Sequence, residues 1–189
     1  MARIPYVEIE SAPRAVQEIL RAGPRNTRNI QGLIAHASGN LSGLSAFLGS
    51  VLTAQALEPR LRELAILRVA YLTGAEYEWT QHTTLSARAG VSPAQLAAIA
   101  EGRTEGTEFS QDEATLLAFV SQFIETGHPD AALFGRTRSF LSDREIVELL
   151  LTAGAYWALG RLMTALEIDA EPPMDEADAA TLLASFPSA

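Results

Sequence analysis

Glu78 and His82 stand four residues apart, a spacing that puts both on one face of a helix and within reach of each other. A carboxylate beside an imidazole favours the imidazolium and fixes its orientation, which is the pairing a general acid or base needs. Glu63 lies earlier, on a preceding helix, on a face it shares with Leu67 and Ala70, where partial desolvation would raise its pKa. Two carboxyls and one imidazole converging would make a proton-handling site. Tyr77, next to Glu78, reads like the other aromatic residues as core or interface, and is the one of them kept as a candidate substrate contact. Each feature also has an ordinary reading. Glu63 could pair with Arg60 one turn back, and Glu78 with His82 could be an exposed helix-surface pair.

Metal chemistry lacks ligands. The three histidines, His36, His82 and His128, fall in separate segments, and Glu78 with His82 gives two ligands where a catalytic zinc takes about three from protein. We expect no metal and no cofactor. His36 reads as a surface or capping residue and His128, in a Gly-His-Pro turn, as structural. Arg60, Arg62 and Arg68 read as ion-pairing residues, although one of them near a pocket would suit a carboxylate ligand. Trp79, Tyr156 and Trp157 read as core or interface residues.

The elements that must hold these side chains are helices. Ser92, Ser110 and Ser142 each precede Gln or Glu by three residues, the pattern that satisfies orphan amide donors in a first turn. Pro59 and Pro93 suit a first helical position, and Gly90 a C-terminal stop. Between these marks the sequence predicts helices near 12–21, 28–37, 40–55, 59–73, 75–89, 93–101, 111–125, 130–139, 143–167 and 175–184. No sustained two-residue alternation and no Asn-Gly or Asp-Gly turn occurs, so no sheet is expected. The helices from Pro59 and from Arg144 are apolar on most of their circumference, which predicts central burial for both. The fold class is all-α, a single helical-bundle domain over residues 1–189 with a tail from 170 that packs on a neighbour or frays.

Composition sets outer limits. A chain of 189 residues that is 48% hydrophobic can bury one core without disulfides. A formal net charge of -9 and a pI near 4.8 disfavour nucleic acid and anionic lipid. The absence of cysteine excludes thiolate nucleophiles and disulfide cycling outright. The most apolar stretch, between Glu148 and Arg161, is shorter than the roughly 18 residues of a membrane span and reads as a buried core helix. No export signal is evident at the N-terminus, and a cytoplasmic location is expected.

The stretch Pro59-Arg60-Leu61-Arg62-Glu63, followed by Gly74-Ala75-Glu76-Tyr77-Glu78-Trp79-Thr80-Gln81-His82 and then Ala89-Gly90-Val91-Ser92, resembles the carboxymuconolactone decarboxylase and AhpD-like family over about residues 40–125. In AhpD itself a glutamate precedes a Cys-x-x-Cys pair and a histidine. Carried onto this chain, the glutamate matches Glu63 and the histidine His82, while the cysteine positions fall on Ala75 and Glu78. The resemblance thus implies an AhpD-like helical bundle with its pocket and withdraws the thiol mechanism. It implies a cofactor-independent lyase or isomerase using Glu63, Glu78 and His82 on a small lactone, keto or carboxylate compound, with Tyr77 against the substrate. Two alternatives stand beside it: a protein labelled alkylhydroperoxidase by fold but without thiol chemistry, and a non-catalytic helical oligomer that binds a small molecule in the same pocket. The resemblance also implies a homo-oligomer, as dimer, trimer or hexamer, with the helices around 40–90 near the interface.

Overall fold

Ser92, Ser110 and Ser142 each accept a hydrogen bond from the backbone three residues on, and the Gln or Glu at that position accepts one back, closing three capping boxes. They open α6 (Pro93–Ala100), α7 (Gln111–Thr126) and α9 (Asp143–Ala165). The computed structural model describes residues 1–22 and 29–184, and among these every regular element is a helix. A short 3-10 turn at Ile9–Ser11 precedes α1 (Arg14–Ala22), α2 (Asn29–Ile34) and α3 (Ser38–Thr53). Next come α4 (Pro59–Thr73) and α5 (Glu76–Arg88), then α8 (Ala131–Thr137) between α7 and α9, and finally α10 (Glu176–Ala184).

The expected helix near 28–37 is shorter than its pattern suggests. Residue 28 lies outside the described residues, α2 ends at Ile34, and His36 sits in the turn before α3. The C-terminal end of the expected tail, 185–189, also lies outside them.

Pro59 starts α4 with no amide to orphan, and the Glu58 carboxylate accepts from the amides of Arg60 and Leu61. Gly74, at φ 65°, stops the helix in the left-handed conformation that glycine adopts without a Cβ penalty. Between them Leu64, Ala65, Ile66, Leu67 and Val69 have no exposed surface, because α5, α6, α7 and α9 enclose the helix. This is the central burial expected for an all-round apolar helix.

The same expectation fails in part for α9. Its inner face, including Ile146, Leu149, Ala153 and Tyr156, packs on α4 and α7, but Val147, Leu151 and Trp157 on its outer face are exposed. By length and composition alone α9 would also pass as a membrane span, with 44% of its most apolar window buried among the other helices.

The tail packs on its own chain. Met174 and Ala179 are buried against Leu85 of α5, the Thr84 hydroxyl donates to the Met174 carbonyl at 2.5 Å, and the Gln81 amide donates to the Pro172 carbonyl at 2.9 Å. Those bonds satisfy backbone carbonyls that a free strand would leave to water.

Candidate active site

The left-handed turn at Gly74 brings α5 back against α4, and this turn decides which side chains meet. His82, one face along from Tyr77 and Glu78, reaches across to α4, where its Nδ1 lies 2.8 Å from Oε2 of Glu63. A carboxylate can only accept, so Nδ1 carries the proton and Nε2 is left for another partner. The other Glu63 oxygen, Oε1, accepts long bonds of 3.4 Å from Arg62. Glu63 is 1% exposed, so the pairing lies in a dry interior where Coulombic terms are strong.

Glu78 and His82 do share a face, and both line one cavity, but they are not the hydrogen-bonded pair that their spacing suggests. His82 is bonded to Glu63, and both Glu78 oxygens are buried without any partner. Burial of an unpaired carboxyl disfavours its charged form and pushes the Glu78 pKa well above the usual carboxylate value. One Glu78 oxygen is accommodated because Gly160 of α9 has no side chain: a Cβ there would lie 3.1 Å from Oε2.

The two ordinary readings are both absent from the structure. Arg60 pairs with Glu113 at 2.6 Å rather than with Glu63, and the Glu78–His82 face is buried rather than exposed. Arg68 donates to the Ser121 hydroxyl and the Gly102 carbonyl and lies over the Tyr71 ring.

The cavity has a volume of about 320 Å³, near the lower end of the range for ligand sites. Its walls are mainly aliphatic, from α1, α2, α3, α5, α9 and the tail, with Leu41, Leu48, Leu159 and Met174 among them. Tyr77 contributes to the lining, but its hydroxyl donates to Glu171 of the tail, so the ring faces the cavity while the polar tip is tied up in a strap contact.

Tyr156, expected as a core or interface residue, is buried in the core and also lines the cavity, edge-on to His82, with ring centroids 4.9 Å apart and planes at 86°. Burial, and then the nearby Glu63 and Glu78 carboxyls, push its pKa well above the usual tyrosine value, so the phenol stays a neutral donor. No local motif marks it, because its role depends on α9 crossing α4 and α5.

His36 is exposed, with Nε2 2.7 Å from the Pro5 carbonyl oxygen, and it does not reach the cavity. His128 lies in an exposed turn. Among the described residues no three His, Asp or Glu side chains converge in a way that could hold a metal ion. The arrangement can do proton chemistry: an oriented imidazole, a carboxyl kept neutral and a phenol, all at one mainly apolar cavity.

Residues 40–119 match the model of the carboxymuconolactone decarboxylase family. No curated protein matches the chain. Among solved structures, the chain is similar to an uncharacterised peroxidase-related protein with an alkylhydroperoxidase AhpD core from Ralstonia eutropha, at 14% identity and a TM-score of 0.79 over 96% of both chains. It is similar to an uncharacterised peroxidase-related protein from a Silicibacter species, at 13% identity and a TM-score of 0.68 over 90% of this chain and 92% of that one. A variant of the debrominase Bmp8 solved with 2,3,4-tribromopyrrole shares 16% identity and a TM-score of 0.69 over 98% of this chain and all of the other. At these identities the structural likeness establishes the fold alone. The segment that carries Glu63, Glu78 and His82 is thus similar to the carboxymuconolactone decarboxylase family, in a cysteine-free chain with the AhpD-like fold.

Proposed function

We propose that this chain is a cofactor-independent lyase or isomerase that moves a proton at carbon in a small lactone, keto or carboxylate compound. The observation that carries this reading is the buried Glu63–His82 bond at a cavity whose wall also holds the unpaired Glu78 carboxyl. Glu63 holds the ring in one tautomer, and Nε2 acts as the base. Tyr156 and the neutral Glu78 are donors for the oxygen on which negative charge develops, and Glu78 returns a proton to carbon. In the lyase form carbon dioxide leaves, and its bonding electrons pass into the carbonyl before carbon is reprotonated. In the isomerase form a C–H bond breaks instead. The assignment of Tyr77 as a substrate contact is kept for its ring alone, since its hydroxyl serves Glu171.

Thiol-based peroxide reduction has no place in this scheme, because the chain contains no cysteine. A binding protein without turnover is the rival reading that the aliphatic walls favour. Deuterium incorporation separates the two: simple lactones, cyclic ketones and β-keto acids are incubated with the protein in deuterated water and followed by NMR. Exchange or carbon dioxide release that disappears in His82→Ala supports the enzyme. Saturable binding with neither process in any probe supports the binding protein.

The same reading includes a homo-oligomer, which the exposed apolar face of α9 supports: Val147, Leu151 and Trp157 are 55%, 50% and 43% exposed on one helix. That face lies outside the 40–90 segment first expected to form the interface.

A further inference from the structure

Among the described residues no arginine lines the cavity beside His82. The chain has no lysine, and the arginines of α4 are committed elsewhere: Arg60 to Glu113, Arg62 to Glu63, and Arg68 to Ser121 and the Gly102 carbonyl. None of them takes the clamping role that a carboxylate ligand would want. What the wall does hold is an acid, Glu78, 3% exposed with both oxygens unpartnered.

The state of that acid describes the space around it. Glu78 is pushed toward its neutral form by burial alone, with no counter-charge to offset it. A ligand carboxylate entering the same space would lose its hydration and find the same lack of compensation. An uncharged carbonyl compound loses far less on entry. Its oxygen can accept from the Glu78 carboxyl or the Tyr156 phenol, and its hydrocarbon part meets the aliphatic walls formed by residues such as Leu48 and Leu159.

We propose that this site takes an uncharged, mainly apolar lactone or cyclic ketone and discriminates against the free carboxylate of the same skeleton. The inference about chemistry rests on the proton-transfer reading above; the inference about binding does not. For a neutral β,γ-unsaturated carbonyl compound of this class the C–H bond between the carbonyl and the double bond breaks. Its proton passes to His82 Nε2, and the electron pair moves into the carbonyl, giving an enolate held by the two donors. Return of the proton to another carbon of the conjugated system completes an isomerisation with no co-reactant. Decarboxylation would require a carboxylate to enter, so this selectivity favours the isomerase form over the lyase form.

The test is calorimetric titration of the full chain at pH 7 with a matched pair, γ-octalactone and its ring-opened hydroxycarboxylate. We expect the lactone to bind about tenfold tighter or more. Ser45→Arg, which adds a guanidinium to the α3 wall, should raise the ratio of carboxylate to lactone affinity by about tenfold or more, with the carboxylate bound more tightly than by the wild type. A carboxylate that binds the wild type as tightly as the lactone, or a lactone with no detectable binding at millimolar concentration, overturns the proposal. So does a Ser45→Arg variant that is folded by circular dichroism yet gains nothing for the carboxylate. Lactone binding without deuterium exchange leaves this proposal standing and removes the enzyme reading. His82-dependent turnover of a β-keto acid that binds tighter than its neutral ester does the reverse.

Discussion

His82 of α5 is held by Glu63 of α4, at 2.8 Å between Nδ1 and Oε2, and not by the glutamate one turn away on its own helix. The pairing fixes the tautomer of the ring and joins the two helices at the cavity. His82→Ala should therefore lower turnover by about 10²–10⁴-fold, the usual contribution of a positioned acid or base, while far-ultraviolet circular dichroism stays unchanged. Glu63→Ala should destabilise the fold by about 3–5 kcal/mol, because it leaves Arg62 and His82 buried without their shared partner. Chemical denaturation measures the second effect. A Glu63→Ala protein as stable as the wild type would mean that the pair is not desolvated.

Glu78 gives the fold a pH dependence of defined sign. Its folded pKa lies well above the value of about 4.5 expected in the unfolded chain. The unfolded state therefore releases the proton first as pH rises, and stability that is complete below that value is lost as pH climbs toward the folded pKa. Glu78→Gln cannot ionise in either state. Its Tm relative to wild type should rise between pH 4 and pH 8, by about 3–6 °C for each pH unit over which the acid is ionised when unfolded and still protonated in the fold, at about 1.4 kcal/mol per pH unit. A Tm difference that stays constant over this range would show that Glu78 is charged in the fold.

Gly160 makes room for that carboxyl. A Cβ at this position would lie 3.0 Å from the Thr73 hydroxyl, 3.1 Å from the Ala75 Cβ and 3.1 Å from a Glu78 oxygen. The Thr73 hydroxyl is bonded to the carbonyls of its own helix, and the Ala75 Cβ moves only with the backbone. Alanine gains about 1 kcal/mol of helix propensity and meets about 1–3 kcal/mol of overpacking, so Gly160→Ala should cost about 1 kcal/mol net. The loss should shrink when Glu78→Ala is present as well, a coupling that a double-mutant cycle reads directly. Stabilisation by Gly160→Ala alone would refute the close approach.

The outer face of α9 carries a prediction about assembly. Leu151→Glu places a charge in the middle of the exposed apolar stripe and should reduce the mass measured by light scattering while leaving Tm within a few degrees of the wild type. A wild-type protein that already runs as a monomer would remove the homo-oligomer from the reading.

The sequence by itself determined most of what is local. Capping boxes at Ser92, Ser110 and Ser142 are three-residue chemistry, so their helices start where the sequence places them. The burial of α4 follows from an apolar circumference, and the loss of thiol chemistry from composition alone. Glu63, Glu78 and His82 were all legible as candidates because the family spacing marks them. Their pairing was not. Four-residue spacing allowed Glu78 to touch His82, but the turn at Gly74 and the crossing of α4 and α5 gave the imidazole to Glu63. Tyr156 reaches the site from a helix more than seventy residues further along the chain, where no periodicity carries information about what lies opposite. The exposed side of α9 was hidden for a related reason: hydrophobicity reports that a face avoids water, whereas burial depends on whether the rest of the chain is there to cover it. Glu78 shows the division most sharply. Its identity is a matter of sequence, but its neutrality comes from packing that removes water and supplies no cation, a property of several helices together.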